Sequence, residues 1–168
     1  MRLSAKTEYA ALAAVELARR IDAPAPVRIR EICAAQGVPP RFLVHLLLQL
    51  KAAGIVASIR GAAGGYRLAK PPDAVTLHDI RSAVEGPDDS VAAVTTELAK
   101  KSRTATVLAS AWETAADAEA EALAGITLAC LAARCGPAGD SMYYIYSGPL
   151  DLAAHIGAGG QAPVSPHT

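Results

Sequence analysis

The 168-residue chain has no apolar run of the roughly 18 residues that a membrane-spanning helix needs, which argues against a span. Its opening, MRLSAKTEYA, lacks the apolar core of a signal peptide, so a cytoplasmic location is expected. Cysteine is scarce. Cys33, Cys130 and Cys135 are odd in number and fit no disulfide framework, so free thiols are expected. No nucleophile–base constellation, phosphate loop or convincing metal set stands out. GAAGG at 61–65 is not a nucleotide fingerprint, because it links two strand-like segments rather than a strand and a helix. These absences argue against an enzyme, and neither a cofactor nor a metal is expected. There is no internal repeat.

Net charge is also missing on average, but the average conceals a split. Residues 1–81 hold twelve Lys or Arg against six Asp or Glu; residues 82–168 hold four against ten. Such asymmetry suggests that the first half meets a polyanion, although uneven surface charge alone would look the same.

What is present is a succession of helices and one hairpin. Residues 4–20 read as a helix rich in Ala, Leu and Glu, with Ser4 placed to cap it. DAPAP at 22–26 breaks it, and a short second helix is expected over about 27–35. Gly37 fits a tight turn. A third helix runs from Pro40, tolerated at a first helical position, to about Ala53. Leu43, Leu46, Leu47 and Leu50 form its buried stripe, and Arg41, Val44, His45 and Leu48 its opposite face. Gly54 suits the helix end. Ile55–Ile59 and Tyr66–Leu68 read as two strands of a β-hairpin turning at GAAGG. Thr76 and Asp79 have capping-box spacing and open a helix reaching about Val84. A weakly patterned stretch, 87–103, precedes one long helix over 104–124, with Leu108, Trp112, Ala115, Ala116 and Leu123 near one stripe. A further short helix is expected over Thr127–Arg134, and composition predicts disorder from Gly157 onward.

Helix, short helix, turn, longer helix and glycine-hinged hairpin is the order of a winged helix-turn-helix. The expected architecture is therefore mainly α, with a two-stranded hairpin wing and a long C-terminal helix. The expected divisions are 1–86 for the DNA-binding domain, 87–136 for the loop and dimerisation region, and 137–168 for a C-terminal segment. A recognition helix must offer side chains to base edges in the major groove, and a wing needs a cation on a slim hairpin. Arg60, beside Gly61, fits the wing role, since a narrow minor groove attracts arginine. Lys6, Arg28, Arg30, Arg41, Lys51, Arg67 and Lys70 are candidates for phosphate contact, each weighed against being a solvated surface charge.

The opening LSAKTEYAALAA and the stretch PVRIREICAAQGVPPRFLVHLLLQLKAAGIVASIRGAAGGYRLAKPPDAVTLHDIRSAVEGP resemble the Rrf-two (BadM-type) family of bacterial regulators. The resemblance is strong over about residues 1–87 and weak beyond. It implies a homodimer on double-stranded operator DNA, with the long helix crossing its partner. It places Arg41 and Phe42 at the DNA-facing start of the recognition helix and Arg60 at the wing position that enters the minor groove. Val44 departs from a base-reading glutamate in the cluster-binding regulator; a valine cannot accept from cytosine but can touch a thymine methyl. A second departure is that 86–105, where cluster-binding members carry three cysteines, contains none. Thiolates are the usual cluster ligands, so no such cluster is expected. The signal is left open between a small-molecule and a redox effector.

Other readings compete. Cys130 and Cys135 could form a metal or redox pair, but five apart is a poor fit to one helix, and incidental thiols are the simpler account. Tyr143, Tyr144 and Tyr146 could line an effector pocket or a partner surface, on a winged-helix scaffold that does not bind DNA tightly. His45 suits a DNA-facing or surface position, and His78 a surface one.

Overall fold

The computed structural model describes residues 4–86, 100 and 102–136. Helix α1 spans Ala5–Arg19, α2 Ile29–Gln36 and α3 Pro40–Ala52. Strands β1 (Val56–Ile59) and β2 (Gly65–Leu68) pair antiparallel, Val56 opposite Leu68 and Ile59 opposite Gly65. A 3₁₀ turn at Pro72–Ala74 leads into α4 (Leu77–Glu85). Helices α5 (Arg103–Ala124) and α6 (Leu128–Arg134) follow. The expected mainly helical winged helix-turn-helix with a two-stranded wing and a long C-terminal helix is what the chain forms. The expected disordered tail and the three tyrosines lie outside the described residues, as does most of 87–101.

The local signals act as expected. Ser4 Oγ accepts from the Thr7 N–H at 3.2 Å and so starts α1. Gly37 ends α2 in the left-handed region at φ +65°, which the turn into α3 requires. Thr76 Oγ1 accepts from the Asp79 N–H at 3.2 Å while Asp79 Oδ2 accepts from the Thr76 N–H at 2.8 Å, completing the capping box of α4. The leucine stripe of α3 is buried: Leu43, Leu47 and Leu50 are fully inaccessible.

Helix α1 is the centre of the core. Its inward face carries Ala10, Ala13, Ala14 and Ala18 around Leu17, and these small side chains let α2, α3, α4 and α6 pack around it. Two features depart from the sequence pattern. The second helix begins at Ile29 rather than 27, because Val27 is held extended. Its N–H donates to the Tyr66 carbonyl at 2.9 Å and its carbonyl accepts from the Tyr66 N–H at 2.8 Å, a one-residue third strand beside β2. The chain also returns after α5. Leu77 N–H donates to Ile126 O and Leu128 N–H to Val75 O, each at 2.9 Å, so Thr76 and Thr127 form a bridge. Leu128 is fully buried and α6 lies on α1, so this helix shares the N-terminal core.

One charge lies inside. Glu16 on α1 is 1% exposed. A buried carboxylate costs several kcal/mol unless paired and hydrogen-bonded, on the order of the desolvation of an ion. Both oxygens are accordingly occupied: Oε1 accepts from Arg20 Nε at 2.6 Å, and Oε2 from Gln36 Nε2 at 2.8 Å and Arg19 Nη1 at 3.3 Å. Gln36 is the last residue of α2, so Glu16 fixes where α2 ends and the turn into α3 begins.

The far end of α4 is clamped to α1. The hydroxyls of Ser4 and Thr7 each donate to Glu85 Oε1 at 2.5 Å. The Ser4 hydrogen bond, followed by that of Thr7, holds the Glu85 carboxyl below its ordinary 4.5; Arg81 and Lys6 add to this against partial burial. A depressed carboxylate stabilises the fold above its unfolded value, and the contribution is lost as pH falls through the folded value. The clamp should therefore hold at pH above about 4.5 and weaken progressively below it. Ser4→Ala combined with Thr7→Val should move the Glu85 midpoint upward toward 4.5 in an NMR titration of its side-chain carboxyl. An unmoved midpoint would show that these hydroxyls are not the cause.

Candidate nucleic-acid interface

The outward face of α3 is built by subtraction. With Leu43, Leu46, Leu47 and Leu50 turned inward, helical spacing leaves Arg41, Val44, His45 and Leu48 side by side on the outside. All four are exposed, and the two aliphatic ones conspicuously so, Val44 at 38% and Leu48 at 52%. Phe42 flanks this face at 49% exposure, with the Arg41 guanidinium 5.3 Å from its ring centroid, a cation–π contact.

The wing is shaped by close backbone approach. A Cβ on Gly65 would stand 2.5 Å from the Val27 carbonyl oxygen, and one on Gly64 would stand 2.3 Å from the Ile59 carbonyl oxygen. Only glycine lets β2 lie against Val27 and the hairpin close. Gly61 turns the tip at φ +110°. Arg60 leaves the end of β1 exposed, with no partner among the described residues.

The candidate cations fall into two groups. Arg30, Arg41, Arg60, Lys6 and Lys70 are exposed. Arg28, Arg67 and Lys51 are engaged within the protein. Arg28 Nη2 donates to the Ala62 carbonyl at the wing tip at 3.1 Å, and Arg67 Nη2 donates to the Pro24 carbonyl before α2. Lys51 Nζ donates to Ser58 Oγ at 2.7 Å, joining the end of α3 to β1. Together with the Val27–Tyr66 bridge, these bonds make the helix-turn-helix and the wing one body. Sequence reasoning missed this role. An arginine that ties two loops and one that awaits a phosphate look alike in a sequence.

The cysteines do not gather. Cys33 lies on α2, half-buried; Cys130 is half-buried on α6 and Cys135 is exposed just after it. Among the described residues no three His, Cys, Asp or Glu side chains are grouped to hold a metal ion, and no helix is long and apolar enough to cross a membrane. His45 is exposed as expected, whereas His78 is half-buried.

Helix α2, the Gly37 turn, α3 and the tied hairpin define the winged helix-turn-helix of transcriptional regulators. The family model Rrf2, described as an iron-dependent transcriptional regulator, matches residues 3–134, and the chain belongs to that family. Its members are transcriptional regulators rather than enzymes. The chain is 45% identical over 87 residues to the rrf2-like HTH-type transcriptional regulator of Rhodobacter capsulatus, covering 51% of this chain and 58% of that one. It is 38% identical over 87 residues to the regulator CymR of Bacillus subtilis, covering 52% and 62%. These matches span less than two thirds of the relatives' own lengths. Among solved structures, the B. subtilis CymR, described as the global cysteine regulator, superposes with a TM-score of 0.64 at 30% identity, over 80% of this chain and 98% of that one. IscR of T. potens superposes with a TM-score of 0.67 at 30% identity, over 88% and 97%.

Because Gly65 admits no side chain against Val27, Gly65→Ala should push the wing from the helix-turn-helix. Thermal unfolding should shift down by the equivalent of about 1–3 kcal/mol, the range for overpacking. The Tyr66 and Val27 amides should also lose protection in hydrogen exchange. Unchanged protection would show that the contact does not hold the wing.

Proposed function

We propose that the chain is a homodimeric, sequence-specific DNA-binding regulator, acting as a repressor through occupancy of its operator. The observation that carries this reading is the pairing of an exposed α3 face with Arg60, which has no partner among the described residues, on a wing fixed to the same body. The excess of Lys and Arg in residues 1–81 supports it, since phosphate neutralisation supplies much of DNA affinity. In this reading Arg30 and Arg41 meet the backbone or a base edge, and Arg60 enters the minor groove beside it. Phe42, Val44 and His45 face the major groove, and Arg28 and Arg67 act at the interface by holding the wing as well as by their charge.

A second copy is the proposed partner of α5. Leu108 and Trp112, four residues apart on this 22-residue helix, are 51% and 56% exposed, and Val107 beside them is 66% exposed. The buried residues of α5 are Ala109 and Leu123; Leu123, expected on the stripe of Leu108 and Trp112, is instead 7% exposed at the end of the helix, where the chain turns back to the core. The two recognition helices of such a dimer would meet the duplex about 34 Å apart, or a multiple of that.

The cluster-free state is likewise our reading. Residues 86–105 contain no cysteine, and the thiols of Cys33, Cys130 and Cys135 lie on separate helices or beyond a helix end. These residues do not fit an iron–sulfur cluster.

Arg60→Ala should weaken binding to the DNA upstream of the chain's own gene by about tenfold or more, with an unchanged melting midpoint. Affinity of the unaltered protein should fall steeply with salt. Equal binding by the variant would remove Arg60 from the interface, and no binding at low salt would favour a docking or effector-sensing module instead. For the dimer, Leu108→Glu with Trp112→Glu should yield monomers in sedimentation with the α1–α4 core still folded. Persistence of the dimer would place its interface elsewhere.

A further inference from the structure

We infer that the recognition face reads thymine methyl groups through Val44 and Leu48, beside a guanine read by Arg41. This rests on the DNA-binding reading and names the base chemistry that reading leaves open.

Helix α3 is poor in hydrogen-bond acceptors. Its sequence, PRFLVHLLLQLKA, contains no Asp, Glu, Asn, Ser or Thr. Cytosine presents an N4 amine in the major groove, which calls for an acceptor, and adenine is read by a bidentate amide. The one amide, Gln49, is exposed four residues after His45 and seven after Phe42, at the edge of the 41–44–45–48 face rather than at its centre. What the face does offer is a guanidinium, an imidazole and methyl groups. Arg41 suits the O6 and N7 acceptors of guanine, and aliphatic carbon suits the C5 methyl of thymine.

Val44 and Leu48 are four residues apart, so their side chains are neighbours on one face. Both are exposed although every other leucine of α3 is buried, and no described element covers them. Apolar side chains at such positions call for an apolar partner. A duplex fits better than a protein surface, because cations frame the pair: Arg41 shares the face, and Lys51 closes the helix toward β1.

The test uses the full chain. A pool of random-sequence duplexes is selected at low salt, and each thymine of the enriched half-site is then replaced singly by deoxyuridine, which lacks only the methyl. At one or two positions per half-site the replacement should weaken binding about fourfold, the value of one buried methyl-sized group. Against Val44→Ala or Leu48→Ala, the matching replacement should cost nothing further. Both side chains are exposed, so the variants should melt as the parent does. A fully uracil-substituted duplex that binds as tightly as the thymine form would overturn the inference. So would a Leu48→Ala variant that alters oligomeric state and keeps full methyl discrimination. A pool from which nothing is enriched would instead overturn the DNA-binding reading, a distinguishable failure.

Discussion

The contact between Val27 and the Gly65–Tyr66 backbone is the constraint on which the rest of the interface depends. It is a main-chain contact, two reciprocal hydrogen bonds made possible by the missing side chain of Gly65. Without it the wing would be a two-stranded hairpin standing alone, and such hairpins are marginal in water. With it the hairpin gains a third strand and a fixed direction relative to α2 and α3. The positions of Arg60 and of the α3 face are then set together rather than separately.

That arrangement also sorts the charges by task. Arg28, Arg67 and Lys51 hold protein to protein, while Arg30, Arg41 and Arg60 stand in solvent. Glu16 belongs to the first kind in its strictest form: a carboxylate out of water whose every bond goes to α1 or to the end of α2. Pairs of this sort contribute little net stability compared with apolar packing, but their geometry is exacting. Here it fixes the turn from which the recognition helix departs.

The helices were legible in the sequence because each carries its own start and stop. Ser4, Thr76, Gly37 and Gly54 act through bonds to their immediate neighbours, so a linear reading finds them. The α3 leucine stripe was legible for a similar reason, since 3.6-residue periodicity is a local property. What the linear reading could not find depends on partners far along the chain. Val27 is strand-like only because Tyr66 lies beside it. Glu16 looks like one half of a surface pair with Arg20, four residues on, until Gln36 covers it. The return of α6 to α1 rests on Thr76 meeting Thr127, two helix N-caps each legible alone but whose pairing no local signal announces. Of the candidate site, Arg41, Phe42, Val44, His45 and Arg60 are displayed as a linear reading expects, whereas the internal bonds of Arg28 and Arg67 needed the tertiary structure.

Helix α4 is bound at its beginning, middle and end. Thr76 before it bridges to Thr127, Arg81 Nη1 lies 3.2 Å from Glu119 Oε1 on α5, and Glu85 is gripped by the first turn of α1. In mechanical terms it is a connecting rod without slack. Arg81 thus links α5 to α4, and α4 packs in turn on α3, so the long helix and the core that seats α3 belong to one bonded and packed network. The short polar side chains Ser4 and Thr7 are the bearing at the far end of that rod, where their two hydroxyls seat Glu85 on the first turn of α1.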